Sequence, residues 1–259
     1  MGWLLPDYNT PGPGVGPDTP RKKGFARLVE VIGRDFLDLY KAGFLVLVGA
    51  MPFVTGVIFA VRTNSLLPLL LSGLLGGIIA APEIVGLFDT ILRALRDEPG
   101  WWWGTYRRAW KQNAAASLLP GALFGLLLAV QIFALCLLSD DMGRILLLAL
   151  GVLFTLGLAV YVFAQLTLMN LPFGGMLKNA VFLLIGNLVD SGVFLLGFAV
   201  YAIVIWYLYP VSAVLLLLGG VWFPILTALL KIYSILDETF EIESRIKTLQ
   251  DSQKNHKSL

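Results

Sequence analysis

Long apolar runs, each closed by a shorter polar stretch, set the pattern of this chain. Six of them occupy 43–61, 66–88, 114–138, 145–169, part of 180–209, and 211–230. An apolar run of about 20 residues, coiled at ~1.5 Å per residue, crosses a ~30 Å hydrocarbon core. The pattern therefore predicts an all-α membrane protein, a bundle of six transmembrane helices. Pro52, Pro68, Pro82, Pro120 and Pro224 fall inside these runs. Neighbouring helices or waters must satisfy the carbonyls they free, so they predict kinks. The connections are unequal. Residues 62–65, 139–144 and the corner at 209–210 are short, 171–179 is intermediate, and 89–113 is a long cytoplasmic loop.

The flanks differ in kind. Residues 1–24 hold Pro6, Pro11, Pro13, Pro17 and Pro20 among Gly12, Gly14 and Gly16, which precludes helix and predicts an extended arm. The same residues leave no apolar core for a cleavable signal peptide. Residues 25–42 are amphipathic. Phe25, Leu28, Val29, Ile32, Phe36, Leu39 and Tyr40 share one helical face, with Arg27, Glu30, Arg34, Asp38 and Lys41 opposite. This helix is too charged to cross a bilayer. Two placements fit it: flat on the cytoplasmic surface, or packed against the protein's own cytoplasmic segments. Beyond residue 230 the polar tail, 231–259, keeps Ile232, Ile235, Leu236, Phe240, Ile246 and Leu249 near helical spacing, as a cytoplasmic continuation of the last helix.

Composition agrees with the pattern. Apolar residues make up 58% and charged residues 14% of the chain, with a mean hydropathy of +0.81, against ~25% charged in a soluble domain. The placement of charge sets orientation. Of 19 Lys and Arg, six lie in 1–42, five in 89–113, one at Lys178 and five beyond 230, leaving Arg62 and Arg144 for the other side. This bias puts both termini in the cytoplasm. The basic residues flank membrane runs and form no long basic domain, so nucleic acid is not an expected partner.

Chemistry is sparse. The one Cys, Cys136, lies in an apolar run and the one His, His256, in the polar tail. Neither a His/Cys zinc site nor a nucleophile–His pair assembles from them, so no cofactor, metal or catalytic set is expected. Two acids lie in or beside membrane runs, where a charge costs at least ~2.5 kcal/mol. Glu83 is placed at the interface, paired with a loop arginine. Asp190 either lies in the membrane or marks the end of an interfacial segment. The most distinctive cluster is Trp101, Trp102, Trp103, Tyr106, Arg107, Arg108, Trp110 and Lys111. Trp103, Tyr106 and Trp110 share one face and Arg107 and Lys111 another, which suits anchoring among anionic headgroups or docking of a partner. Gly73-x-x-x-Gly77 and Gly121-x-x-x-Gly125 offer close helix approach, within the bundle or between copies.

The arm, Tyr8-Asn9-Thr10-Pro11-Gly12-Pro13-Gly14-Val15-Gly16-Pro17-Asp18-Thr19-Pro20 followed by Arg21-Lys22-Lys23-Gly24-Phe25, resembles the opening motif of the YesL-like family of bacterial integral membrane proteins. Trp110-Lys111-Gln112 and Leu177-Lys178-Asn179-Ala180 with Asn187-Leu188 resemble that family's later pattern, although Val189 stands where the family often has Pro. The resemblance implies no activity. It implies a non-enzymatic accessory role beside carbohydrate ABC importer subunits in a bacterial plasma membrane. A small permease subunit is the alternative. It has Leu119-Pro120 after a cytoplasmic segment, but Arg107 stands where a permease coupling loop carries Gly.

Overall fold

The computed structural model describes residues 21–98, 100–137, 141–211, 213–214, 220–242, 244 and 248. The expectations for Pro11, Gly12, Gly14 and the end of the tail lie outside these residues. The regular elements are helices: α1 Gly24–Thr63, α2 Leu66–Leu71, a π-helical turn Ser72–Gly76, α3 Gly77–Arg96, α4 Trp102–Leu137, α5 Met142–Leu168, α6 Phe173–Gly186, α7 Leu188–Tyr207 and α8 Trp222–Phe240. α2, the π turn and α3 run on as one rod, Leu66–Arg96. That rod, α1, α4, α5 and α7 are the five described helices long and apolar enough to cross a membrane. The chain is a multi-pass helical membrane protein. The expected run at 211–230 passes partly through residues outside the described set. Within it α8 begins at Trp222 and stays helical past 230 to Phe240.

The helix boundaries depart from the sequence expectation in three places. Residues 25–42 and 43–61 form one helix, α1, because Ala42 and Gly43 are buried and nothing there breaks the backbone. The non-helical residue inside α1 is Asp35 (φ −112°, ψ 15°), so the bend falls there and not at Pro52. The 89–113 segment is mostly helix. α3 runs to Arg96 and α4 starts at Trp102, and the charged side chains at the end of α3 pair with near neighbours, Arg93 with Asp89 and Arg96 with Glu98, so the helix carries them to Arg96. The apolar stretch 180–209 breaks at Asn187 (φ −118°, ψ 50°). The Asn187 side-chain amide donates to the Leu183 carbonyl there, competing with the backbone ladder.

Successive long helices run antiparallel, and α3 is the central post. Residues 85–92 are buried without a gap, as expected of a helix apolar on all sides. α3 meets α4 through its glycines. A Cβ added at Gly77 would stand 2.2 Å from the Gly121 carbonyl oxygen, and one at Gly125 would stand 2.4 Å from the Gly73 oxygen. The two small-residue motifs are thus each other's partner, and their missing side chains let the backbones touch. The core continues through Phe163, whose ring lies 6.0 Å from that of Phe88 and 6.5 Å from that of Phe124. Polar residues in this core bond to one another. Tyr161 Oη and Ser191 Oγ join α5 to α7 at 3.1 Å, Gln131 donates to Thr155 at 3.0 Å, and Gln165 donates to the Met176 carbonyl of α6 at 3.2 Å.

Candidate functional site

The charged end of the bundle, where α1 begins, α3 ends and α4 begins, gathers most of the polar chemistry. Asp97 closes α3 in the left-handed conformation (φ 58°), and the Glu98 amide donates back to the Arg93 carbonyl at 3.1 Å. A helix end leaves carbonyls unpaired and carries partial negative charge. Three arginines meet both needs. Arg27 donates to the Leu95 carbonyl at 2.8 Å and to the Asp97 carboxylate at 2.7 Å. Arg34 donates to the Ala94 carbonyl at 2.6 Å and also to Asp97. Arg21 reaches the Arg96 carbonyl at 3.0 Å and Asp97 at 3.1 Å. Arg27, only 5% exposed, is the most deeply set of the three.

Burial alone would push the Asp97 carboxyl up. Hydrogen bonds from Arg34 and Arg27, with their positive charge, outweigh it and hold the group below its ordinary value. A second node lies beside the first. Glu98 receives Arg96 at 2.8 Å and Arg93 at 3.1 Å, and Arg93 also grips Asp89 at 2.9 Å.

The polar face of residues 25–42 is therefore turned onto the protein's own α3. On the opposite face Phe25, Val29 and Phe36 are exposed, while Leu39 is buried and Leu28 and Ile32 pack against the core. Between α1, the end of α3 and the start of α4, Arg34, Asp35, Asp38, Thr90, Asp97 and Trp102 are among the residues lining a cavity of about 360 Å³.

Glu83 sits one helix packing layer away, toward the glycine seam. Among the described residues no arginine pairs with it, contrary to expectation. The carboxylate instead accepts from Trp110 Nε1 at 3.0 Å and from the Tyr106 hydroxyl. Two glycines make room for this arrangement. A Cβ at Gly49 would meet Glu83 Cγ at 2.8 Å, and one at Gly86 would meet the Tyr106 ring at 2.4 Å. Tyr106 is buried and stacks with Trp103 at 6.1 Å. Trp102 lies 5.3 Å from Tyr106 and has Lys41 Nζ over its ring at 5.1 Å. A cation held over an indole face is attracted by the ring quadrupole. The aromatic cluster is thus divided: Tyr106 and Trp110 serve Glu83, whereas Trp101 and Trp103 face outward. Arg107, Arg108 and Lys111 are exposed and pair with no carboxylate among the described residues.

Asp190 is placed elsewhere, in the first turn of α7. It pairs with Lys231 of α8 at 2.9 Å, and both side chains are about half exposed. The candidates thus fall into separate groups: Glu83, Trp103, Tyr106 and Trp110 together, Arg107 and Lys111 on the outer face of the same helix, and Asp190 apart. The sequence reading missed Asp97, the contact of Trp102 with Lys41, and the joint role of Arg27 and Arg34. The last carried a signal, since residues seven apart occupy one face of a helix. Among the described residues no three metal-ligating side chains come together. No family model, curated protein or solved structure matches the chain.

Proposed function

We propose that the chain is a non-enzymatic accessory protein of the bacterial plasma membrane, with six spans, both termini in the cytoplasm, and its charged end offered to a partner. One observation carries this reading. Asp89, Asp97, Glu98, Glu83 and Asp190 are each held in a structural pair, while Arg107, Arg108 and Lys111 stand exposed beside Trp101 and Trp103. Acids held in this way are poorly placed to work as bases or nucleophiles. Free cations beside exposed indoles suit anionic headgroups or an acidic partner surface. The bias of 17 cations toward one side supports the orientation.

The partner class, subunits of a carbohydrate ABC importer, rests on the resemblance of the arm and of Trp110-Lys111-Gln112. The alternative, a permease subunit, is less favoured. The cavity between α1, α3, α4 and α5, about 230 Å³, is lined by residues such as Val46, Phe53, Phe88, Leu128 and Phe163, which give a sugar nothing to hydrogen-bond.

The test is purification from the native membrane in mild detergent, for the wild type and for Arg107→Ala/Arg108→Ala/Lys111→Ala. Importer subunits that accompany the wild type and are lost with the variant support the reading. A wild type that purifies without them refutes the partner. The orientation is tested by cysteine labelling in a Cys136→Ser background. Substitutions at Arg62 and Arg144 should react from outside, and those at Arg108 and Lys247 only after permeabilisation. External labelling at Arg108 overturns it.

A further inference from the structure

A third cavity, of about 630 Å³, opens where the start of α1 meets α7 and α8. Its lining has two characters. Arg21, Lys22, Lys23, Arg27 and Lys231 bring five cations, with Asp237 as the acid among them. Phe25, Leu28, Leu95, Val193 and Leu230 supply an apolar side. From the cavity and these two chemistries we infer a binding site for one anionic phospholipid, its phosphodiester among the cations and an acyl chain along the apolar wall.

The lining favours an anion. Asp97 is shared among Arg21, Arg27 and Arg34, Glu30 between Arg27 and Lys22, and Asp190 is bound to Lys231, yet within the lining five cations stand to one acid, Asp237. Lys23 pairs with no carboxylate among the described residues. α1 adds to that excess. Its first turn carries no acid, and the Lys23 side chain makes no capping bond, so the helix end contributes roughly half a positive charge. A phosphodiester brings the negative charge that this cationic lining calls for. The apolar wall selects for a tail as well as a headgroup. Phe25, part of that wall, is 78% exposed. The site does not depend on the importer association, since it uses neither Arg107 nor Lys111.

The test uses the full chain purified in a neutral detergent. Lipid retention is read by native mass spectrometry during titration with phosphatidylglycerol, phosphatidylcholine, or soluble glycerol phosphate. Wild type should retain one phosphatidylglycerol at least tenfold more tightly than phosphatidylcholine. Lys22→Gln/Lys23→Gln should weaken that retention about 30-fold, at ~1 kcal/mol per basic residue near a headgroup. Arg107→Gln/Lys111→Gln should leave it unchanged. Equal retention of the two lipids overturns the inference, as does a Lys22→Gln/Lys23→Gln variant that holds phosphatidylglycerol like wild type. Displacement by glycerol phosphate at the lipid's own concentration also overturns it, because the acyl chain then contributes nothing. Loss of phosphatidylglycerol in the Arg107→Gln/Lys111→Gln protein alone would place the lipid on α4 and count against the site.

Discussion

Adding one methyl group at Gly77 tests the α3–α4 seam. In Gly77→Ala the new Cβ would lie 2.2 Å from the Gly121 carbonyl oxygen and 3.0 Å from Gly125 Cα. Both are backbone atoms of α4, so no side-chain rotation relieves the contact. The helices must part by roughly 1 Å to restore ordinary contact, and a gap of that size forfeits a quarter to a half of the dispersion well along the seam. Overpacking of this kind costs about 1–3 kcal/mol. The gain in helix propensity, ~1 kcal/mol in water, is smaller in a detergent-unfolded state that remains largely helical. The expected result is a loss of about 2 kcal/mol. At ~2–4 °C per kcal/mol for a chain of this size, the unfolding midpoint falls by about 5 °C. The protein's seven tryptophans report unfolding by fluorescence in mild detergent. Gly33→Ala is the control, because nothing lies within 4 Å of its added Cβ. A Gly77→Ala protein as stable as Gly33→Ala would refute the seam.

Asp97→Asn keeps a residue that tolerates the left-handed backbone but removes the charge under three arginines, and should cost about 1–3 kcal/mol at neutral pH. Because the Asp97 carboxyl is held below its ordinary value, its contribution is complete above the unfolded value near ~3.9 and is lost as pH falls through the folded one. The stability gap between wild type and Asp97→Asn, measured by thermal unfolding across pH, should therefore close below about pH 4. A gap that widens in acid contradicts this. Glu83→Gln turns one of two acceptor oxygens into a donor facing Tyr106 or Trp110, which should cost about 1–2 kcal/mol and shift tryptophan emission. Emission and midpoint identical to wild type would show that the two bonds do not hold Glu83. Asp190→Asn breaks a pair about half exposed, so stability should change by less than about 1 kcal/mol, with normal membrane insertion. A fall of several kcal/mol in unfolding would give Asp190 a structural weight its exposure does not support.

The fold class was legible because membrane helices announce themselves by length and by the loss of charge. The two glycine motifs were legible as surfaces for close approach but not as partners, since spacing within one helix carries no address on another. Residues 25–42 and 43–61 were divided at a change from polar to apolar. The backbone ignores that change and bends at Asp35, after the two arginines that reach α3. Charge was read as the end of helix between 89 and 113, although in the structure it marks only the end of the apolar environment. Glu83 was given an arginine by electrostatic habit. Its partners, Tyr106 and Trp110, were already visible as one face of α4, and only the antiparallel pairing with α3 brings them to it. Asp97 was missed because its part depends on arginines more than 60 residues away in the chain.

The wide turn at Ser72–Gly76 sets the phase of the whole rod. A π turn holds one residue more than a regular turn, so it works as a single-residue insertion carried within the helix. Before it, Leu69 is buried in a small cluster with Val57 and Ala129. After it, Gly77 faces Gly121 and Glu83 faces Trp110. Removing any one residue from 72–76 would restore even winding and turn the later half by about 100° relative to the earlier one. Leu69 and Gly77 could then no longer both meet α4. Point changes in this segment are judged by the atoms they touch, whereas a change of length would alter every contact on one side of it at once.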